Sequence, residues 1–200
     1  MAHSGKSVLV TGGCGGLGKA IVDSFMAQGA NVVVVDYNED LVSKFKSEVA
    51  PADADRVLVL TKDVTSEEAL DSIFQEAADK FGALDYVVNN AGIMDRVDPA
   101  GELDKAIWDR VIAVNLTAPT MITKRAVNQM MAKQVKGAAI VNISSIAGFK
   151  GFCAGRSLVW SLVLFQSADL FRDCVHGIET WLARPYQEHR DLLPEQRYPL

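Results

Sequence analysis

Apolar residues follow two alternating styles along most of the chain: short continuous runs, and longer stretches repeating every three or four positions. Val8–Val10 is a short run that ends at Thr11 in a glycine cluster, and Ala20, Ile21, Ser24 and Phe25 then recur at helical spacing until Gly29. Val32–Val35 is a continuous β-branched run closed by Asp36, the mark of a strand covered on both faces. Leu41–Val49 reads as a helix and Val57–Leu60 as a strand. Thr65-Ser-Glu-Glu68 has the form of a capping box that opens a helix to about Phe81. Tyr86–Val88 is a strand ending in Asn89-Asn90-Ala91-Gly92. A long helical region runs from about Leu103 to Lys133, and Ala139–Ile143 is a fifth strand ending at Ser144-Ser145. Strands alternating with helices at this spacing predict right-handed βαβ units: an α/β fold built on a doubly wound parallel sheet.

The chain changes character near Gly155. Fourteen of the 15 glycines and all 11 lysines lie at or before that point. The remaining 45 residues carry five arginines, no lysine, two of the three tryptophans and three of the six prolines. They contain one apolar helical stretch, Ser157–Phe171, followed by a polar end, and no further βαβ unit. The predicted organisation is a dinucleotide-binding domain over residues 1–155 and a divergent, partly helical tail over 156–200 that is not a separate domain.

The strongest chemical signal is the glycine cluster between the first strand and helix. Glycines there permit a tight turn and let backbone N–H groups approach a phosphate at the positive end of a helix. Gly13-x-Gly15-x-x-Gly18 fits the dinucleotide fingerprint. Gly13-x-x-x-x-Gly18-Lys19 nearly fits a P-loop, but Ala20 stands where that loop needs a hydroxyl for magnesium. Thr11-Gly12-x-x-x-Gly16-x-Gly18 is a third fit. Asp36 follows Gly18 by 18 residues at the end of the second strand, where a carboxylate accepts from an adenosine ribose and repels a 2′-phosphate. Its neighbours Tyr37 and Asn38 are not basic, so the reading is NAD over NADP. The plainer alternative makes Asp36 a cap for the next helix.

Taken in order, these motifs resemble the short-chain dehydrogenase/reductase family. Thr11-Gly-Gly-Cys-Gly-Gly-Leu-Gly18 looks like its phosphate loop. Asp63-Val64, Asn89-Asn90-Ala91-Gly92, Val114-Asn115-Leu116 and Asn142-Ile-Ser-Ser145 look like its successive strand-end motifs. The resemblance covers about residues 6–155. It implies a Rossmann sheet in the order 3-2-1-4-5, here without the family's last two strands. The implied activity is hydride transfer between NAD(H) and an alcohol or carbonyl compound. The implied cofactor-binding set is Gly12, Cys14, Gly15, Gly16, Leu17, Gly18, Asp36, Tyr37, Asp63, Val64, Asn90, Ala91 and Gly92. Asn115 resembles the residue that kinks a helix and holds a proton-relay water, and Ser145 the serine that binds the substrate oxygen.

The family's chemistry also needs a tyrosine and, four residues later, a lysine that lowers the tyrosine pKa. By the family's spacing they fall 13 and 17 residues after Ser145, at Leu158 and Leu162, and no Tyr-x-x-x-Lys occurs in the chain. Tyr186-Gln-Glu-His-Arg190 lies 41 residues past Ser145 and puts an arginine in the lysine's place. Weak activity or none is therefore predicted, with two alternatives: a non-catalytic NAD(H)-binding module, or a truncated product of splicing or of a misassembled gene model.

Composition narrows the remaining classes. The chain has 200 residues, 49% hydrophobic and 22% charged, which is enough to bury a core. Twenty basic and 25 acidic residues leave a net charge of −5, against a nucleic-acid surface. The longest apolar stretch, Leu158–Phe165, is far short of the roughly 20 residues a bilayer needs, so no membrane span is expected. Cys14, Cys153 and Cys174 form no CxxC, and neither a disulfide framework nor a metal site is suggested. The predicted partners are a small alcohol or ketone and, as protein, a second copy or a full-length relative. The predicted location is cytoplasmic.

Overall fold

A computed structural model describes residues 2–94 and 100–145 of the chain. Leu158, Leu162 and the whole tail lie outside the described residues. Five parallel strands, β1 (Ser7–Thr11), β2 (Asn31–Asp36), β3 (Val57–Thr61), β4 (Tyr86–Asn89) and β5 (Ala139–Asn142), form one sheet in the order β3-β2-β1-β4-β5. The helices are α1 (Gly16–Ala27), α2 (Glu39–Glu48), α3 (Glu67–Phe81), α4 (Lys105–Ile112) and α5 (Ala118–Ala132).

The two-residue alternation of a strand sorts the sheet's side chains into two cores. Leu9, Val33 and Val35 point to one face and pack with Leu70, Ile73 and Phe74 of α3 and Ile122 and Ala126 of α5. Val8, Val10, Val32 and Val34 point to the other and pack with Val22 of α1 and Val42 and Phe45 of α2. β1 and β2 pair in register from Ser7–Asn31 to Thr11–Val35, so each buried valine row meets another. Each fully buried Val or Leu is worth roughly 1.5–3 kcal/mol of transfer free energy, and this central part of the sheet supplies most of that burial.

Polar contacts then fix the layers. Arg125 on α5 binds Asp71 (2.8 Å) and Glu67 on α3, and Gln129 Oε1 accepts from the Leu84 amide (3.2 Å) at the start of the β4 approach. Asp85 accepts from Lys6 Nζ (2.7 Å) and from the Ser7 amide (2.9 Å), which ties the lower ends of β1 and β4 together.

Three local expectations shift. The third helix is capped by Ser66, whose hydroxyl accepts from the Ala69 amide (3.1 Å), while Thr65 instead donates to Asp63 Oδ1 (2.7 Å). The reciprocal box around Thr65 and Glu68 does not form, because Thr65 is drawn into the Asp63 turn. The second helix starts two residues earlier than its apolar pattern, at Glu39, with Asn38 as cap (Leu41 N to Oδ1, 3.0 Å). The long helical region is interrupted: α4 passes into one π-turn over Ala113–Thr117 before α5, and a separate 3₁₀ turn spans Ala100–Glu102.

Candidate functional site

All five strands end on the same side, and two cavities open there, one on each side of the β4 end. The first, about 720 Å³, lies over the β1–α1 turn and is bounded by the ends of β2 and β3. Its floor is the glycine turn. Gly12 (φ +62°) and Gly16 (φ +52°) take left-handed backbone conformations that glycine adopts without strain. At Gly18 an added Cβ would stand 2.0 Å from the Gly12 carbonyl oxygen and 2.6 Å from Asn90 Nδ2, so only hydrogen fits between α1 and the turn. α1 begins at Gly16 with no side-chain cap and no acidic residue in its first turn. Its first N–H groups and positive dipole end are therefore presented to the cleft, a suitable setting for a phosphate.

The Asn89-Asn90-Ala91-Gly92 segment braces this turn. Asn90 Nδ2 donates to the carbonyls of Thr11 (2.9 Å) and Gly12 (3.1 Å). Thr11 Oγ1 in turn accepts from the amides of Asn90 (3.1 Å) and Ala91 (3.0 Å). The last residue of β1 and the residue after β4 thus hold each other in place, which explains why a threonine and an asparagine stand at those two strand ends.

Asp36 lies on the cleft wall. It does not cap α2, since Asn38 does. Its Oδ2 accepts from the Cys14 amide (3.1 Å) and its Oδ1 from the Asn38 amide (3.1 Å). An ionised carboxylate has about four acceptor positions, so two remain for hydroxyl donors in the cleft. On the far side, Asp63 is oriented by Thr65 (amide at 2.9 Å), Val64 is buried, and Tyr37 is 68% exposed at the rim. Twelve of the thirteen residues named from the sequence for this role line the one cleft. Cys14 does not. It is buried beneath the turn, 5% exposed, and burial followed by the Asp36 charge pushes its thiol up to about 12. The thiol stays protonated and unreactive there, and only the backbone of Cys14 serves the loop.

Several wall residues carry no motif signal, among them Lys62, Ile93 and Arg110. Lys62 is engaged with Ser72 Oγ (2.9 Å) and Glu76 (3.2 Å). Arg110 reaches the cleft from α4, and only the tertiary arrangement puts it there.

The second cavity, about 590 Å³, runs along α5 and the end of β5, and it contains both sequence-named catalytic candidates, Asn115 and Ser145. Asn115 sits in the π-turn and clamps the loop after β4: its Oδ1 accepts from the Ile93 amide (2.9 Å) and its Nδ2 donates to the Ile93 carbonyl (2.9 Å). The π-turn interrupts the regular helix at this position. Ser145, half-buried, is on the opposite wall at the end of β5. Residues 90–93 line both cavities, so a dinucleotide lying in the first would reach the second across them. The glycine turn, the uncapped helix end and the Asp36 carboxylate fit such a ligand. Among the described residues no cluster of metal ligands occurs, and no helix is long and apolar enough to cross a membrane.

Comparison with known proteins gives the same picture. The family model described as short chain dehydrogenase matches residues 6–157. A short chain dehydrogenase/reductase of Gibberella zeae (dpfgG) is 42% identical over 153 residues, 76% of this chain and 56% of that protein. The 3beta-hydroxysteroid dehydrogenase 2 of Eggerthella lenta is 36% identical over 153 residues, 76% of this chain and 57% of that protein. The chain thus spans a little over half the length of such relatives. A crystal structure of a short-chain dehydrogenase/reductase, a glucose/ribitol dehydrogenase from Brucella melitensis, superposes with a TM-score of 0.74 at 26% identity, covering 86% of this chain and 70% of that one. Sheet order, braced glycine turn and matched sequence agree: the chain belongs to the short chain dehydrogenase/reductase family, oxidoreductases that use nicotinamide dinucleotides.

Proposed function

We propose that this chain binds NAD(H) in the 720 Å³ cleft, in preference to NADP(H), and transfers hydride weakly or not at all. The observation that carries the reading is the placement of Asp36 on the cleft wall, opposite the open N-terminus of α1. The α1 N–H groups and the glycine backbone would hold the pyrophosphate. The Asp36 carboxylate would accept from ribose hydroxyls and repel a 2′-phosphate. When bound, the nicotinamide supplies or receives hydride.

The limit on turnover comes from the sequence. Leu158 and Leu162 stand where the family has its tyrosine and lysine, and a hydrocarbon side chain neither donates nor accepts a proton. Positioned acid–base catalysis is typically worth about 10²–10⁴ in rate, so Asn115 and Ser145 alone leave little turnover of any alcohol or ketone. In this reading the chain acts in the cytoplasm as a dinucleotide-holding module, by itself, as a homo-oligomer or paired with a full-length relative.

The test is a titration of the purified chain with NADH and NADPH, following cofactor fluorescence and melting temperature together. Saturable binding of NADH with a rising melting temperature is expected, because a ligand specific to the native state stabilises it. NADPH should bind at least about tenfold more weakly, and Asp36→Ala should remove that difference. Equal affinity for the two cofactors in the unaltered chain would refute the NAD preference. Robust oxidation of alcohols at saturating NAD would refute the loss of turnover.

A further inference from the structure

The two cavities divide the passage from α4 to α5 between them. Arg110, Ala113 and Val114 line only the first, whereas Asn115 and Leu116 line only the second. Spaced three and four apart, Arg110, Ala113 and Val114 share one helix face. Residues 90–93 line both cavities and mark where a dinucleotide would cross from one to the other. Arg110 therefore belongs to the half of the cleft away from that crossing. On the NAD(H) reading this is the adenosine half.

Two cations line the cleft among the described residues, Lys62 and Arg110. Lys62 Nζ is held by Ser72 Oγ (2.9 Å) and Glu76 (3.2 Å). The Arg110 side chain is exposed, and its guanidinium makes no hydrogen bond or ion pair with any described residue. Its own helix offers it no partner. Three and four residues away on either side stand Ala106, Ile107, Ala113 and Val114, and the adjacent Asp109 is taken by Lys105 (2.6 Å). A guanidinium with five donors thus stands uncommitted at the wall of the cleft.

The other parts of the ligand have partners elsewhere: the pyrophosphate at the open end of α1, the ribose at Asp36. What remains for the base is the part of the cleft bounded by Asp63, Val64 and Thr65 and by Val114. Val64 is buried and Val114 half-buried, so the base has an apolar seat there. A planar heteroaromatic ring with its other face toward water is well covered by a guanidinium, which is itself planar, weakly hydrated and drawn to a π face. We infer that Arg110 is a cofactor-positioning residue whose guanidinium stacks on the adenine ring and holds the adenosine half of the dinucleotide in the cleft. The assignment rests on the NAD(H) reading of that cleft.

Fluorescence titration of the full chain with NADH, and displacement of that NADH by ADP-ribose, tests the assignment. Arg110→Ala should raise the Kd of NADH about fivefold and that of ADP-ribose by the same factor. The melting temperature of the unliganded chain should stay as it was, because the guanidinium bonds to no described residue. Arg110→Lys keeps the charge but loses the plane, so its Kd should lie within about twofold of that of Arg110→Ala. An unchanged Kd for NADH in Arg110→Ala overturns the assignment and leaves the NAD(H) reading standing. Full recovery by Arg110→Lys overturns it too, since the residue would then be a counter-charge to the diphosphate. So does a loss confined to NADH with ADP-ribose unaffected, which would put the guanidinium on the nicotinamide half. Absence of saturable NADH binding by the unaltered chain overturns the NAD(H) reading and this assignment with it. If Arg110→Ala loses its cooperative melt, Arg110→Lys decides alone, and binding as tight as in the unaltered chain overturns the stacking.

Discussion

β2 and β5 are both short apolar runs, Asn31–Asp36 and Ala139–Asn142, and their fates differ. In β2 every valine is fully buried, between β1 and β3 and under helices on both faces. In β5 the side chains alternate between half-buried and exposed, with Val141 at 48% and Ile143, just past the strand, at 41%. Apolar composition makes a strand in both places, but burial is granted by neighbours, and among the described residues β5 has one where β2 has two. The two cavities repeat the contrast. The floor of the cleft beside β2 is braced by hydrogen bonds among Thr11, Asn90, Cys14 and Asp36, whereas the cavity beside β5 retains an orphan oxygen on Asn89.

Substitutions at the two ends of the sheet should differ accordingly. The largest effect is expected at Val33, which is 0% exposed. Val33→Asp places a carboxylate in the core at a penalty of several kcal/mol, comparable with the whole stability of a domain, about 5–15 kcal/mol. Thermal unfolding followed by circular dichroism should show no cooperative transition. Next comes Gly18→Ala. The 2.0 Å approach to the Gly12 carbonyl is to backbone, which cannot rotate away. Overpacking of this kind costs about 1–3 kcal/mol, so the melting temperature should fall by several degrees while the fold survives. An unchanged melting temperature would show that the turn is not held as tightly as the Asn90 contacts imply.

A smaller loss is expected from Asn115→Ala, which frees the backbone N–H and C=O of half-buried Ile93. Water replaces part of the interaction, so about 1 kcal/mol is expected. The specific readout is faster hydrogen exchange at the Ile93 amide, with exchange in β1 and β2 unaffected. The smallest effect belongs to the sheet's edge: Val141→Asp should change stability by no more than about 0.5 kcal/mol. A loss there as large as that of Val33→Asp would mean that β5 is covered as thoroughly as β2.

Much of this was readable from residue order. Runs of β-branched residues separated by helical periodicities, each ending in a motif, lead directly to parallel strands and to the side of the sheet where the motifs collect. The glycine turn was legible because close packing of α1 on a turn restricts residue type, as the Gly18 contacts show. Less was legible where one sequence feature serves two structures. Thr65 and Ser66 are both adequate caps, and the choice fell to Ser66 once Asp63 engaged Thr65. Arg125 bridging α5 to α3, and Asn115 clamping Ile93, join residues 54 and 22 positions apart, and no local pattern announces them.

Local chemistry along the chain therefore determined which segments become strands and helices, where turns need glycine, and which carboxylate ends the second strand. Those are properties of backbone sterics and of the two- and 3.6-residue periods, and they act over a few residues. Tertiary structure decided that Asp36 lies against the Cys14 amide instead of capping α2, and that Asn90 braces the turn after β1. It also left Asn89 with an unpaired oxygen at the second cavity. Each of those depends on which strands become neighbours, and the neighbours of β1 are β2 and β4, segments that begin 24 and 79 residues after its first residue.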